Sequence, residues 1–177
     1  MEQLPISGSL LGRETNRSSI EATPPLIEGA VDLDTQLQPN GFDVTLHSVS
    51  RFTTAGSIDF LNVTRDLSEA EMLPFSPDNL IELKPGPYLV TFNELVNIPL
   101  GIAALGRTRS SLLRCGVALH TAVWDAGYQG RSQSLLQVLN PEGFTIQRNA
   151  RIMQLVFFHL DRPAKVGYRG VYQGENR

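Results

Sequence analysis

The chain has 177 residues, of which 41% are hydrophobic and 19% charged, and this composition is typical of an ordered globular protein with a sizeable core. A formal net charge of −3 excludes a general attraction to nucleic acid or to an acidic membrane, and no apolar run approaches the ~20 residues that span a bilayer. The single cysteine, Cys115, excludes an intramolecular disulfide and any zinc site built on several cysteines. The N-terminus lacks the pattern of a signal peptide, so we expect a cytosolic protein.

The N-terminal segment, residues 1–24, is polar and mixed and predicts one short helix. The sequence TPPLIEG (23–29) then predicts a break followed by an extended piece. After a turn signal at residues 39–41, Phe42, Val44 and Leu46 alternate with polar residues, as in a half-buried strand.

Short strand candidates continue along the rest of the chain, separated by turns rich in glycine and proline. They lie at residues 58–64, 80–83, 88–93, 101–105, 134–139, 144–147 and 151–160. Many short strands with one or two short helices predict a single all-β domain, a sandwich or barrel, over residues 1–177.

Several common catalytic patterns are absent from the sequence. It contains no GxxxxGK[ST] phosphate loop, no GxGxxG, no HExxH and no GxSxG nucleophile elbow. The three histidines, His47, His120 and His159, lack the spacing of metal ligands. Cys115 lies in an apolar stretch that we expect to be packed, which argues against covalent catalysis.

A short helix is predicted within TRSSLLRCG (108–116). Thr108 or Ser110 would cap it, Leu112 and Leu113 would form its buried face, and Gly116 would end it.

The start of this helix combines the features of an anion site. Ser110 and Ser111 place hydroxyls beside free backbone N–H groups, and Arg109 adds a guanidinium fork suited to phosphate. An ordinary capped helix with surface arginines explains the same residues, so composition leaves both interpretations open.

The next stretch, HTAVWDAGYQG (120–130), places one carboxylate at the end of an apolar run. Asp125 there could orient and deprotonate a water molecule, and Tyr128 offers a flat face for a sugar or base. Asp43, in the strand after the first turn, could hold Mg²⁺ bound to a triphosphate. The alternative for Asp125 is the common role of an aspartate that caps a turn.

The last residues, 161–177, are rich in glycine, tyrosine and arginine and have few side chains that could fill a core. A frayed terminus is the simpler interpretation. The alternative is a C-terminal arm that closes over a polyanion with glycine N–H groups, Arg169, Tyr172 and Gln173.

Six segments, taken in order, resemble the superfamily of dUTPases and dCTP deaminases. They are QPNGFDVTL (38–46), LKPGPYLVTFNELVNIP (83–99), GRTRSSLLRCG (106–116), TAVWDAGYQG (121–130), RIMQLVF (151–157) and YRGVYQGEN (168–176). The resemblance runs from about residue 25 to the end and implies the distorted β-barrel of that superfamily. It also implies a homotrimer with active sites between subunits.

One position separates the two reactions of the superfamily. Deaminases use a glutamate on the strand after the third motif. At the matching position this chain has Gln137 when residues are counted back from Asn140, or Leu135 when they are counted forward from Gly130. Neither residue is a general base at neutral pH, and Glu142 lies beyond the strand. The Asp-x-x-Tyr-x-Gly turn resembles that of dUTPases, and the whole pattern is most similar to dUTPases of archaeal type.

The resemblance implies a role for each matching residue. Asp125 would position the water that attacks the α-phosphorus of dUTP, Tyr128 would stack on the deoxyribose and exclude a 2′-hydroxyl, and Asp43 would hold Mg²⁺, through water. The implied substrate contacts are phosphate binding by Arg109, Ser110, Ser111 and Gln154, uracil recognition by the backbone of Ala122, Val123 and Trp124, and closure over the γ-phosphate by Tyr172 and Gln173. Arg114 would contact the base or only the neighbouring subunit.

The sequence therefore predicts Mg²⁺-dependent hydrolysis of dUTP to dUMP and pyrophosphate, with no nucleic-acid or membrane partner. One alternative is a dCTP deaminase, or a bifunctional enzyme that makes dUMP from dCTP. A second alternative is a trimer that binds nucleotide or protein without turnover.

Overall fold

Antiparallel strands form most of the regular structure in the computed structural model, which describes residues 8–177. The helices are α1 (Arg13–Glu21), α2 (Leu33–Gln36) and α3 (Ser110–Arg114). The strands are β1 (Ile27–Glu28), β2 (Leu37–Gln38), β3 (Gly41–Phe52), β4 (Ala70–Met72), β5 (Leu80–Leu83), β6 (Gly86–Phe92), β7 (Leu95–Asn97), β8 (Ile102–Thr108), β9 (Val117–His120), β10 (Val123–Trp124), β11 (Gln129–Gly130), β12 (Gln133–Val138), β13 (Phe144–Gln147) and β14 (Arg151–His159). The predicted all-β class with short helices is confirmed.

The main sheet is organised around β3, the longest strand. The strand order is β10-β8-β14-β3-β6-β12-β9, and β2 and β4 also pair with β3. The first part of β3 pairs with β14 and the second part with β6, with register shifts on both sides, so the sheet curls around the core. Gly41 permits the approach of β14, because a Cβ at this position would lie 2.1 Å from the carbonyl oxygen of Leu155.

The core fills the inside of this curled sheet. Phe42 and Leu46 of β3 are fully buried, as are Leu155 and Phe157 of β14. Two small sheets flank the main one, with the orders β1-β7-β11 and β13-β5. The three-stranded sheet holds one end of the turn at residues 125–128, so it helps to position that turn for the site described below.

The predicted N-terminal helix is confirmed as α1, although residues 1–7 of the N-terminal segment lie outside the described residues. The predicted strand at residues 58–64 is wrong. Asp59 accepts hydrogen bonds from the backbone N–H groups of Leu61, Val63 and Thr64, at 2.9, 3.2 and 2.7 Å, and this holds an irregular loop. The apolar side chains of the loop point to solvent, and Phe60 is 99% exposed.

The predicted short helix forms as α3, but three expectations about it are wrong. Its N-cap is Arg109, with no side-chain capping bond, because the hydroxyl of Thr108 is bonded to the backbone of Leu119 instead. Leu113 is exposed, since five residues bury only the face that carries Leu112. Cys115 is exposed at the helix end rather than packed. Within residues 8–177, no helix combines the length and hydrophobicity that a membrane span requires.

Candidate active site

A cavity of about 600 Å³ opens where residues 121–133, which include β10, a turn and β11, meet the C-terminal arm. It brings together six of the residues that the sequence predicts for the site. The lining residues are Phe52, Leu67, Ser68, Leu89, Ala122, Val123, Trp124, Asp125, Tyr128, Ser132, Gln133, Tyr168, Tyr172 and Glu175.

The turn between β10 and β11 places two of these residues. Its four residues close with a hydrogen bond from the N–H of Tyr128 to the carbonyl of Asp125 at 3.0 Å, and Gly127 takes the positive φ of +85° that the turn requires. Bonds between this turn and Ile98 tie it to the end of β7. The Asp125 side chain is exposed and makes no hydrogen bond within residues 8–177, so it is free to contact a ligand or water.

The wall beside the turn is formed by β10, which ends the main sheet. Val123 and Trp124 pair with β8 along one edge, and the other edge has no strand partner among the described residues. Backbone groups at such an edge can bond to the edge of a base. The indole N–H of the buried Trp124 donates to Ser132 Oγ at 3.0 Å, which holds this wall to the start of β12.

The C-terminal arm, residues 161–177, folds back against the turn of its own chain. Gln173 accepts from the N–H of Gln129 and donates to the carbonyl of Gly127, both at 3.0 Å. The N–H of Arg131 donates to the carbonyl of Glu175 at 3.0 Å, and Gly174 donates to Gln129 at 2.7 Å. The arm is therefore an ordered wall of the cavity rather than a frayed terminus.

Two glycines permit this close crossing of arm and turn. A Cβ on Gly127 would lie 2.6 Å from the Cα of Gly167. Just beyond them, the N–H of Tyr168 donates to the carbonyl of Ala126 at 2.8 Å. The Tyr168 ring then meets the Tyr128 ring edge-on, with 5.8 Å between centroids.

Tyr128 is held inside the cavity wall and is only 6% exposed. Its hydroxyl donates to Glu175 Oε1 at 2.8 Å. Burial, followed by this contact, raises the pKa of the Tyr128 phenol, and burial raises the pKa of Glu175. The phenol therefore keeps its proton at neutral pH and remains a hydrogen-bond donor.

A second group of predicted residues surrounds Asp43 on β3. We call Asp43, Arg109 and Arg151 the arginine cluster. Arg109 Nε lies 3.0 Å and Arg151 Nη1 lies 3.3 Å from the same oxygen, Asp43 Oδ2. Arg109 also donates to the carbonyl of Arg151 at 3.1 Å, and Arg151 donates to that of Thr35 at 2.8 Å. Two guanidinium groups on one carboxylate leave a net positive charge beside the start of α3.

A buried network supports the backbone of the arginine cluster. Glu94, fully buried, accepts hydrogen bonds from the N–H and hydroxyl of Thr45 at 2.9 and 2.7 Å. It also accepts one from Gln36, which donates to the carbonyl of Asp43 as well, at 2.8 Å. Burial raises the pKa of Glu94, against the opposing effect of these donors.

Asp43 does not fit direct ligation of Mg²⁺ in this arrangement. Its side chain is 2% exposed and its Oδ2 is shared by two arginines. Burial raises the pKa of Asp43, and the charges of Arg109 and Arg151 oppose that shift. No group of three potential metal ligands occurs within residues 8–177. Contact between Asp43 and Mg²⁺ through an intervening water stays a prediction.

Four more predicted residues lie near the arginine cluster and outside the cavity: the phosphate ligands Ser110, Ser111 and Gln154, and Arg114, which is predicted to contact the base or only the neighbouring subunit. Gln154 is the β14 partner of Asp43 on one side and of Arg107 on the other. Ser110, Ser111 and Arg114 are exposed on α3. One chain thus carries a cavity with mainly apolar walls and, separately, a basic cluster suited to anions.

The strand β12, which follows β11, bears on the choice between hydrolysis and deamination. On β12, Ser134, Leu136 and Val138 point into the core, whereas Leu135 and Gln137 are half-buried on the opposite face. Gln133, on that same face, lines the cavity and donates to Thr91 Oγ1 at 3.0 Å. The only carboxylates that line the cavity among the described residues are Asp125 and Glu175.

Sequence reasoning missed part of the site. Tyr168 and Glu175 belong to the recognised C-terminal segment, but their contacts with the turn depend on how the arm folds. Arg151 is the first residue of β14, in the RIMQLVF segment, and nothing in the local sequence indicates that it contacts Asp43. Phe52, at the end of β3, and Leu67, in the loop that follows, line the cavity from segments that have no motif.

Comparisons with known proteins agree with this architecture. The dCTP deaminase-like family matches residues 10–160. A probable deoxyuridine 5'-triphosphate nucleotidohydrolase of Methanosarcina mazei is 52% identical over 168 residues, which are 95% of this chain and 98% of the relative. A deoxyuridine 5'-triphosphate nucleotidohydrolase of Methanocaldococcus jannaschii is 39% identical, over 78% of this chain and 88% of the relative.

A solved structure shows the same fold. The 2'-deoxycytidine 5'-triphosphate deaminase from Agrobacterium tumefaciens superposes with a TM-score of 0.65 at 20% identity over 87% of this chain. The match covers 49% of that deaminase chain, so this protein spans about half of its length. With a family match over most of its residues and archaeal relatives at up to 52% identity, the chain belongs to the superfamily of dUTPases and dCTP deaminases.

Proposed function

We propose that this protein hydrolyses dUTP to dUMP and pyrophosphate. One observation carries the proposal: a single cavity is lined by the edge strand at Val123 and Trp124, by Tyr128 and by the free carboxylate of Asp125. These are the groups needed to hold a base, a deoxyribose and a water molecule. Relatives that match nearly the whole chain are named as enzymes of this activity.

The reaction follows from the chemistry of these groups. Backbone atoms of residues 122–124 contact the uracil edge, and Tyr128 lies under the deoxyribose. Asp125 orients a water molecule and takes its proton as the water oxygen attacks the α-phosphorus. The bond to the bridging oxygen then breaks, and pyrophosphate leaves.

The triphosphate is assigned to the positive end of the site. Arg109 donates to phosphate oxygens with Ser110, Ser111 and Gln154, while Asp43 holds Arg109 in place. Mg²⁺, when bound to the triphosphate, supplies further positive charge against the developing negative charge. Tyr172 and Gln173 of the arm complete the nucleotide site, and the reaction takes place in the cytosol.

A homotrimer with active sites between subunits is part of the proposal. Leu105 of β8 lies between its strand partners Val123 and Val156, and in this apolar row Leu105 and Val123 are exposed and Val156 is half-buried in the single chain. The row borders the cavity at Val123 and the arginine cluster at Gln154. A second copy seated on it would therefore reach both half-sites. Sedimentation should give the mass of three chains, and Leu105→Lys should lower it; a monomeric wild type would contradict the assembly.

The experiment that tests the function compares nucleotides side by side. Purified protein with Mg²⁺ should release pyrophosphate from dUTP and much less from UTP, dCTP or dTTP. Release of ammonia from dCTP would instead indicate a deaminase or a bifunctional enzyme. Binding of dUTP without turnover, under any divalent metal, would indicate a protein that only binds nucleotide.

A further inference from the structure

Glu175 of the C-terminal arm contacts Tyr128 within the cavity. The hydroxyl of Tyr128 donates to Glu175 Oε1 at 2.8 Å, and both side chains line the cavity. Ser132, which accepts the indole N–H of Trp124, is the other polar side chain beside this hydroxyl. Glu175 therefore holds the outer end of the tyrosine ring.

The surroundings leave this ring little room to move. Tyr168 packs against it edge-on, with an interplanar angle of 71°. A Cβ on Gly130 would lie 2.8 Å from the Tyr128 hydroxyl and 3.2 Å from the Glu175 Cγ. The tyrosine, the glutamate and the strand behind them are thus packed in direct contact.

Hydrogen bonds made by Glu175 and by its two neighbours in the arm hold Glu175 in position. Its own carbonyl accepts from Arg131, and the preceding Gly174 donates to Gln129. The side-chain amide of the following Asn176 donates to the carbonyl of Arg131 at 2.9 Å. Because three consecutive residues are bonded to β11 and its end, the carboxyl group has a defined position.

We propose that Glu175 is a positioning residue for sugar selection, which fixes the Tyr128 ring so that the cavity accepts deoxyribose and rejects ribose. The inference rests on the proposed function, because it takes the cavity as the nucleoside site. A side chain excludes one additional hydroxyl only if it cannot tilt away, and the bond to Glu175 prevents that tilt. The arm therefore contributes to sugar selection, and this role is separate from its predicted closure over the phosphates.

The test measures affinity rather than turnover. Kd values for dUMP and UMP are determined by calorimetry for the wild type and for Glu175→Ala, Glu175→Gln and Tyr128→Phe. Monophosphates lack the β- and γ-phosphates, so closure over those groups does not enter the result. We expect the preference for dUMP to fall by about fivefold in Glu175→Ala and in Tyr128→Phe, the effect of one lost hydrogen bond.

Three comparisons make the test more specific. Glu175→Gln keeps an acceptor for the phenol and should retain most of the wild-type preference. The double variant Tyr128→Phe with Glu175→Ala should lose no more than either single variant, because both remove the same bond. Glu142→Ala, which removes an exposed carboxylate outside the cavity, is the matched control and should leave the preference unchanged.

A failure of this inference can be distinguished from a failure of the proposed function. An unchanged dUMP preference in Glu175→Ala, or equal loss of affinity for both nucleotides, would overturn the inference even if dUTP is hydrolysed. A wild type that binds dUMP and UMP equally would also overturn it. Failure to hydrolyse dUTP would reject the proposed function, while the ratio of monophosphate affinities still reports on Glu175.

Discussion

The cavity and the arginine cluster are held in place by different kinds of interaction. The cavity is lined mainly by aromatic and apolar side chains, and contacts between the turn at residues 125–128 and the arm of the same chain assemble it. The arginine cluster depends on one buried carboxylate, to which the N-cap of α3 and the first residue of β14 each bring a cation. Apolar walls suit a base and sugar, and paired guanidinium groups suit phosphates.

The two regions of one chain therefore offer different kinds of contact to a ligand. The described residues that line the cavity are mainly apolar and include no cation, whereas the arginine cluster brings two cations to one carboxylate. A nucleoside triphosphate needs both, so each half-site is incomplete alone. The following predictions test whether the halves are separate units, and how strongly each depends on its own contacts.

The largest expected effect is on dUTP turnover, when two separately inactive variants are assembled into mixed trimers. Asp125→Asn removes the carboxylate that we propose activates water, and Arg109→Ala removes the cation that we propose binds phosphate. Each should lower dUTP turnover at least about 100-fold. If one site takes its cavity and its arginines from different subunits, co-expressed variants should recover about one quarter of wild-type turnover through mixed trimers.

Pyrophosphate release from the co-purified mixture measures this recovery. Each variant assembled with itself is the control and should stay inactive. No recovery in trimers shown to contain both variants would mean that both halves act within one chain.

The next effect concerns the stability of the arginine cluster. Asp43→Ala should lower the free energy of unfolding by about 3 kcal/mol, because it leaves two partly buried guanidinium groups without their counter-charge. Denaturant unfolding at fixed protein concentration measures the change. The matched control is Glu71→Ala, which breaks the exposed pair with Arg51 and should cost less than about 1 kcal/mol. Equal costs would show that the arginine cluster is no more stabilising than a surface pair.

A smaller loss of stability is expected when the arm is separated from the turn. Gly127→Ala places a residue with a side chain at a φ of +85° and puts its Cβ 2.6 Å from Gly167. The backbone strain should cost about 1–2 kcal/mol, and the clash should release the arm. Cleavage by trypsin at Lys165 or Arg169 should then become faster.

The control for this variant is Gly29→Ala. It carries similar backbone strain, at a φ of +74°, but its Cβ would meet only one atom at an ordinary 3.8 Å. If both variants expose the arm equally, strain alone accounts for the result and the glycine crossing has no special role.

The smallest effect is a pH dependence of arm docking. Burial raises the pKa of Glu175 in the folded protein above its ordinary value of 4.5. Its contribution to docking is therefore fully present below that ordinary value and declines as the pH rises through the folded pKa. Protease protection of the arm should decrease slightly over this interval in the wild type and remain flatter in Glu175→Gln. A steeper decrease in Glu175→Gln would contradict the assignment.

The cavity is the part of the site that the sequence predicts best. Ala122, Val123, Trp124, Asp125 and Tyr128 are close together in the chain, so a short motif and a glycine turn suffice to place them in one location. The strand pattern likewise predicts most of the sheet, because alternation of apolar residues reports which face is buried.

Other features depend on contacts that no local pattern encodes. The pairing of Asp43 with Arg109 and Arg151 requires the register of three strands that are far apart in sequence. The loop at residues 58–64 has the alternation of a strand, but Asp59 satisfies its backbone N–H groups within the loop. The docking of the arm, residues 161–177, depends on tertiary hydrogen bonds with the turn, which composition does not report.

Trp124 has a consequence for experiments on this protein. It is the only tryptophan in the chain, and it lies in the cavity wall with its indole bonded to Ser132. Intrinsic fluorescence excited at the red edge therefore reports on a single location. A nucleoside entering the cavity should change the emission, whereas inorganic pyrophosphate at the arginine cluster should leave it nearly unchanged. The wild-type protein thus contains its own optical probe for distinguishing occupation of the two half-sites.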